Sequence, residues 1–252
     1  MKILTEINGG IQTIRLNRPE VLNAFDPEAY YLFGLAVQRA MAADIRVVVL
    51  TGAGRAFSSG HDLTAMPGDD PASDLRWTDG AVRGLATLEK PVIAAINGVA
   101  AGGGLSLALA CDFRLMSQAA KLVPAFPEAG LAPDFGASWL LARGMGADAA
   151  FRWIATGGVM GPEVALAAGL ATEIVAADLL ADRTRDLAAQ LAQRPTWALG
   201  LAKTLLQAAP SATVSEMLER EARAQAQAAS TADYLEALAA FRAKRKPVFT
   251  GA

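Results

Sequence analysis

Pro91-Val92-Ile93-Ala94-Ala95-Ile96 is an unbroken apolar run of strand length that stops at Asn97-Gly98. The chain then passes through Val99-Ala100-Ala101 into three adjacent glycines, Gly102-Gly103-Gly104, and on into the apolar stretch Leu105 to Cys111. An apolar run without polar alternation is the pattern of a strand buried on both faces. The glycines open a helix-like run, so bare backbone N–H groups stand at a helix N-terminus, where they favour negative charge. Three consecutive glycines lose much chain entropy on folding, and a fold that keeps them needs something to approach the backbone closely. An earlier passage has the same grammar: Arg46 to Thr51, rich in valine, is closed by Gly52-Ala53-Gly54.

Several function classes fall away on composition. Of 252 residues, 53% are hydrophobic and 19% charged, which describes a packed globular chain able to bury a large core. The net charge is −2, with no basic stripe before the tail, so nucleic acid is not an expected partner. No run approaches the roughly 18 apolar residues of a membrane span. Met1 to Glu6 lacks a signal-peptide core, and a cytoplasmic location is expected. The single cysteine, Cys111, cannot form an internal disulfide, and its place in an Ala/Leu run reads as core. The single histidine, His61, excludes a histidine-rich metal site, and any Ser-His-Asp triad would run through it. A dinucleotide fingerprint fits poorly, because Gly52-x-Gly54 has no third glycine at the right offset. No Gly-Lys-Ser/Thr phosphate loop occurs.

Ile7 to Leu16 reads as a hairpin-like pair about Asn8-Gly9-Gly10, and Asp26-Pro27-Glu28 as a capped helix start leading to about Ala43. Pro67 to Pro71 reads as a polar loop, Ser73 to Leu88 as a helix, and Cys111 to Met116 and Lys121 to Val123 as short strands. From about residue 137 the pattern is helical, with one strand expected within Leu170 to Val175. The predicted fold class is α/β, with repeated strand-strand-helix units. A core over residues 1–195 and a helical C-terminal region over 196–252 are expected. Two glycine-rich turns after buried strands can aim their amides at one oxygen, the geometry of an oxyanion hole.

Three motifs in order carry a resemblance: Ala56-Phe57-Ser58-Ser59-Gly60-His61-Asp62-Leu63, the run Pro91 to Gly104, and Cys111-Asp112. Together with Asn17-Arg18-Pro19-Glu20-Val21-Leu22-Asn23-Ala24, Gly161 to Leu170 and Ala240 to Pro247, the chain resembles the enoyl-CoA hydratase/isomerase (crotonase) superfamily over nearly its whole length. The resemblance implies a spiral of ββα units and a helical trimerisation region, giving a homotrimer or a dimer of trimers. It implies an acyl-CoA thioester substrate, with coenzyme A part of the substrate and no separate cofactor. The thioester oxygen would accept from the backbone N–H of His61 and of Gly103, which makes no use of the imidazole. Val21, Leu22, Ala24, Ala56, Ser58, Gly60, Asp62, Leu63 and Gly102 would line the CoA site. Lys244, in a tail shared with Lys246, reads either as a solvated helix end or as a contact to the CoA phosphates. Met66 and Trp77 are candidates to line the acyl pocket.

The acid/base positions depart from the hydratases. Where the resemblance puts one glutamate, two residues after the last glycine, this chain has Ser106, and Phe126 stands where the second belongs. Glu128 would need a two-residue slip that the flanking Gly130-Leu131-Ala132-Pro133 argues against. The remaining carboxylate is Asp134. On sequence grammar it reads as a helix N-cap. The resemblance reads it instead as a proton shuttle facing Phe126 and Trp139, as in the aspartate-bearing isomerases. The 4-chlorobenzoyl-CoA dehalogenases also carry an aspartate here, but they rely on a histidine in the region of Ser73 to Leu88, and this chain has none there. The expectation is a double-bond shift or ring rearrangement through an enolate. Hydration through a non-standard carboxylate, dehalogenase-like hydrolysis and CoA-ester binding without catalysis are the alternatives.

Overall fold

The computed structural model describes residues 1–65, 80 and 82–252. Met66, Trp77, the Pro67–Pro71 loop and half of the expected Ser73–Leu88 helix lie outside the described residues; residues 82–86 are helical.

Among the described residues, nine strands form two sheets. The larger has the order β1 (Ile3–Asn8), β2 (Ile11–Leu16), β3 (Val47–Gly52), β5 (Val92–Ile96), β7 (Phe113–Ser117) and β9 (Glu173–Val175). The pair β1–β2 is antiparallel and every later pairing is parallel. The smaller sheet is three parallel strands, β4 (Ala56–Ser58), β6 (Val99–Ala101) and β8 (Lys121–Val123). Each unit gives its first strand to the large sheet and its second to the small one, and a helix follows. The expected ββα spiral is therefore present as β3–β4, β5–β6 and β7–β8. The hairpin opens at Ile3 rather than Ile7, and left-handed Gly9 and Gly10 turn it (φ +57° and +78°).

The valine-rich runs split their side chains by strand period. Val48, Leu50, Val92, Ala94 and Ile96 join the main core with Phe33 and Val37 of the helix Pro27–Ala40. Val47, Val49, Ile93, Ala95 and Leu115 pack on the other face against Leu180, Ala188 and Ala192 of the helix Leu180–Ala192. Asp26 caps the Pro27–Ala40 helix as expected, accepting from Ala29 N–H at 2.8 Å. Helices Thr196–Ala208, Val214–Ala229 and Ala232–Arg242 close the chain. The last residues fold back: Asp233 accepts from the N–H of Thr250 and Gly251 (2.7 and 2.9 Å), and Arg46 Nη1 donates to Phe249 C=O (2.8 Å). Among the described residues, no helix is long and apolar enough to cross a membrane.

Cys111 is in the core, as expected, and burial pushes its thiol up to about 12. Only the thiolate is strongly nucleophilic. Native protein is therefore expected to resist iodoacetamide at mildly alkaline pH and to take one equivalent in urea, read by intact mass; rapid native alkylation would show that the core opens locally.

Candidate active site

The two strands that the sequence pattern hid, β4 and β6, carry the site. Ser58 ends β4, and its Oγ–H donates to Asn23 C=O (2.9 Å) while accepting from Gly60 N–H (3.1 Å). Asn97 Oδ1 accepts from Gly52 N–H (3.1 Å), and its Nδ2 donates to Gly54 and Ala56 C=O (3.0 and 3.1 Å). These side chains lock the turn after β3 to the turn after β5. The glycine run meets this frame so closely that a Cβ on Gly104 would lie 2.2 Å from Ser58 C=O oxygen. The close approach anticipated for the glycines is to the chain itself.

Gly60 has a left-handed φ of +90°, and a Cβ there would lie 2.8 Å from Gly103 N. His61 follows it in a parallel bridge to Phe25. The bridge uses Phe25 N–H to Gly60 C=O (2.8 Å) and Asp62 N–H to Phe25 C=O (2.9 Å), which leaves His61 N–H outside the pairing. Gly103 is the first residue of the helix Gly103–Leu109, where an N–H has no intrahelical partner. Among the described residues neither amide has a partner, so two backbone donors stand on neighbouring segments, an arrangement able to hold one oxygen.

The His61 imidazole, which the sequence reading set aside, lies between two oxygens. Its Nε2 is 2.9 Å from Asp134 Oδ2 and its Nδ1 is 2.9 Å from Tyr30 Oη. The ring stacks on Phe135 (4.8 Å between centroids, 27°). Tyr30 in turn packs on Phe25 (4.7 Å). Burial, with the charge of Asp134 second, holds the Tyr30 phenol well above its ordinary range.

Asp134 is not a helix cap. The N-cap of the helix Ala137–Met145 is Gly136, without a side-chain bond, because Phe135 and Gly136 both take left-handed turns (φ +50° and +76°) that push the helix start two residues on. The carboxylate is freed to reach His61, and its Oδ1 is buried without a partner among the described residues. Ser106, where hydratases are expected to carry an acid, is fully buried and places its Oγ–H 3.1 Å from Asp134 C=O and 3.3 Å from Gly102 C=O. It tethers the main chain of Asp134. Phe126 is buried near Gly102, whereas Trp139, expected beside the carboxylate, is 51% exposed beneath the Arg143 guanidinium (4.3 Å). Behind Phe135 lies a cavity of about 750 Å³ whose lining includes Leu109, Cys111, Phe135 and Trp139.

The family model for enoyl-CoA hydratase/isomerase matches residues 6–252. The chain is 41% identical to 1,2-epoxyphenylacetyl-CoA isomerase of Escherichia coli, over 99% of this chain and 98% of that one. The chain belongs to the enoyl-CoA hydratase/isomerase family. It is also 33% identical to 4-chlorobenzoyl coenzyme A dehalogenase-2 of an Arthrobacter species, over 96% of this chain and 91% of the other. A crystal structure of an enoyl-CoA hydratase subunit from Geobacillus kaustophilus superposes with a TM-score of 0.93 at 35% identity, covering 100% of this chain and 99% of that one. The crotonase fold is thereby established for this chain.

Within this enoyl-CoA hydratase/isomerase fold, the remaining sequence candidates fall in two groups. Val21, Leu22, Ala24, Ala56, Ser58, Gly60 and Asp62 gather around the β4 strand: Ser59 N–H donates to Leu22 C=O (2.9 Å), and Arg18 joins Ala24 C=O to Asp62 (2.7 and 3.0 Å). Leu63 is exposed beside them, and Gly102 (φ +50°) leads into the helix with its N–H on Val123 C=O (3.1 Å). Lys244 stands apart, exposed in a left-handed turn (φ +52°) after the last helix. Glu128, the alternative acid, is exposed and turned toward Gly157. Sequence reasoning missed Tyr30, whose spacing in an amphipathic helix looks like any core residue.

Proposed function

We propose that the chain is an acyl-CoA isomerase that moves a proton on the acyl group, by double-bond shift or ring rearrangement, through an enolate. The observation that carries this reading is the Asp134 carboxylate, held on one oxygen by His61 with the other oxygen buried and without a partner among the described residues. The thioester oxygen accepts from His61 N–H and Gly103 N–H, each donor lowering the barrier by about 3 kcal/mol as charge develops on that oxygen. Asp134 takes the proton from the acyl chain and returns it at another carbon. Hydration needs two acids, and Ser106 and Phe126 occupy their places. The identity to an isomerase, rather than the family as a whole, favours the same choice.

Displacement of halide would use Asp134 as nucleophile and then need a base to hydrolyse the ester. The dehalogenases are expected to rely for this on a histidine in the region of Ser73 to Leu88, and this chain, whose one histidine is His61, has none there. The CoA moiety lies along Val21, Leu22, Ala24, Ala56, Ser58, Gly60, Asp62, Leu63 and Gly102, with Lys244 toward its phosphates. Exposed Leu206, Leu218 and Phe241 on the C-terminal helices support assembly as a homotrimer or a dimer of trimers.

The test is a panel of thioesters. Conversion of a 3-enoyl-CoA to the conjugated 2-enoyl-CoA, or rearrangement of an epoxidised arylacetyl-CoA, is expected without appreciable hydration of crotonyl-CoA. Robust crotonyl-CoA hydration that depends on Glu128 would overturn the reading in favour of a hydratase. Binding without deuterium exchange at the α or γ carbon would leave a thioester-binding protein instead.

A further inference from the structure

We infer that Tyr30 and His61 are positioning residues that hand a fixed, one-directional line of hydrogen bonds to Asp134 and leave Oδ1 as its working oxygen. This inference rests on the reading of Asp134 as the acid/base of the site.

The proton inventory sets the direction. An ionised carboxylate oxygen only accepts, so His61 Nε2 must carry the hydrogen across the 2.9 Å contact to Oδ2. A neutral imidazole then has a bare Nδ1, and Tyr30 Oη, also 2.9 Å away, must donate to it. The phenol stays protonated because burial and the Asp134 charge hold its titration well above ordinary values. With Asp134 ionised and the ring neutral, each member has one role: Tyr30 donates, His61 accepts and donates, Asp134 accepts.

Packing holds the three partners in place. The imidazole lies flat against Phe135, and Tyr30 is wedged between Phe135 (5.7 Å) and Phe25 (4.7 Å). The side chains of His61 and Asp134 are only 9% and 13% exposed, so water does not readily replace either partner. With Oδ2 occupied, the carboxylate plane is pinned at one corner, and Ser106 pins its main chain at another. Oδ1 is buried and has no hydrogen-bond partner among the described residues, so it is the carboxylate oxygen without a fixed contact. A bound acyl chain would have to displace its cover to reach it. Residues that orient a reacting group in this way change turnover more than binding, because misplacement by about 1 Å costs on the order of 100-fold.

His61 is the sole histidine, so selective ¹⁵N-histidine labelling reports this one ring. At mildly alkaline pH the wild type is expected to show Nε2 protonated and Nδ1 bare. Tyr30→Phe is expected to shift the Nδ1 resonance while leaving Nε2 protonated. In kinetics with a 3-enoyl-CoA, Tyr30→Phe and His61→Leu are expected to lower kcat by about 10-fold to 100-fold with KM little changed. His61→Gln, whose amide can still donate to Oδ2, is expected to recover much of the loss. A wild-type ring with Nδ1 protonated and Nε2 bare would overturn the inference, as would full turnover in His61→Leu. The two readings fail separately: the expected tautomer in a protein that isomerises no acyl-CoA would sink the proposed activity and leave the line of hydrogen bonds standing.

Discussion

Asp134→Asn is expected to lower kcat for isomerisation by about 10²-fold to 10⁴-fold, the contribution of a positioned acid/base. The substitution keeps the size of the side chain and an acceptor for His61 Nε2–H, so the ring need not move. The turn that delivers residue 134 is held by its carbonyl, which accepts from Ala137 N–H (2.8 Å) and faces Ser106 Oγ (3.1 Å), and neither contact involves the side chain. What Asn cannot do is take and return a proton. Affinity for an unreactive acyl-CoA, measured by calorimetry, is therefore expected to hold while single-turnover rates collapse. Near-normal turnover with normal binding would place the proton carrier elsewhere.

Gly60→Ala is expected to damage a different part of the reaction. The added Cβ would press on Gly103 N at 2.8 Å and Ala101 C=O at 2.9 Å, both main-chain atoms of the facing segment. Neither can swing aside as a side chain does. The left-handed φ of +90° adds strain of about 1–3 kcal/mol. The facing segments must part, and the His61 and Gly103 amides part with them. Losing one well-placed donor costs about 10²-fold to 10³-fold in kcat. The signature that separates it from Asp134→Asn is binding of an analogue with a fully developed oxyanion. Gly60→Ala should lose that affinity, whereas Asp134→Asn should keep it. A urea titration measures the stability change alongside, and unchanged affinity in folded Gly60→Ala protein would remove these amides from oxyanion binding.

Long apolar runs made most of the fold legible. Val92–Ile96 and Val47–Gly52 announce buried strands because both of their faces need apolar cover. Strands β4 and β6 did not announce themselves. Each is three residues long, and both are built from partners that are main chain or remote in sequence. Asp134 showed the opposite difficulty, since an aspartate before small and apolar residues is also how a helix begins. Only the left-handed turn at Phe135 separates the two, and a phenylalanine does not advertise such a backbone. Ser106 looked like the mere loss of an acid. Its contact with Asp134 C=O joins residues 28 positions apart, which no local pattern encodes.

The donors proposed to face the thioester are main-chain groups, set by strand ends and glycines, while residues 106, 126 and 134 present side chains. A lineage with this layout can keep its substrate handle and exchange its tools. In this chain Ser106 is a strut for the loop bearing Asp134, and it sits fully buried. A glutamate at 106 would break the contact with Asp134 C=O and crowd a fully buried position. An acid at 106 therefore cannot be added without rebuilding the turn at 134, so the two positions are mechanically one unit although 28 residues separate them.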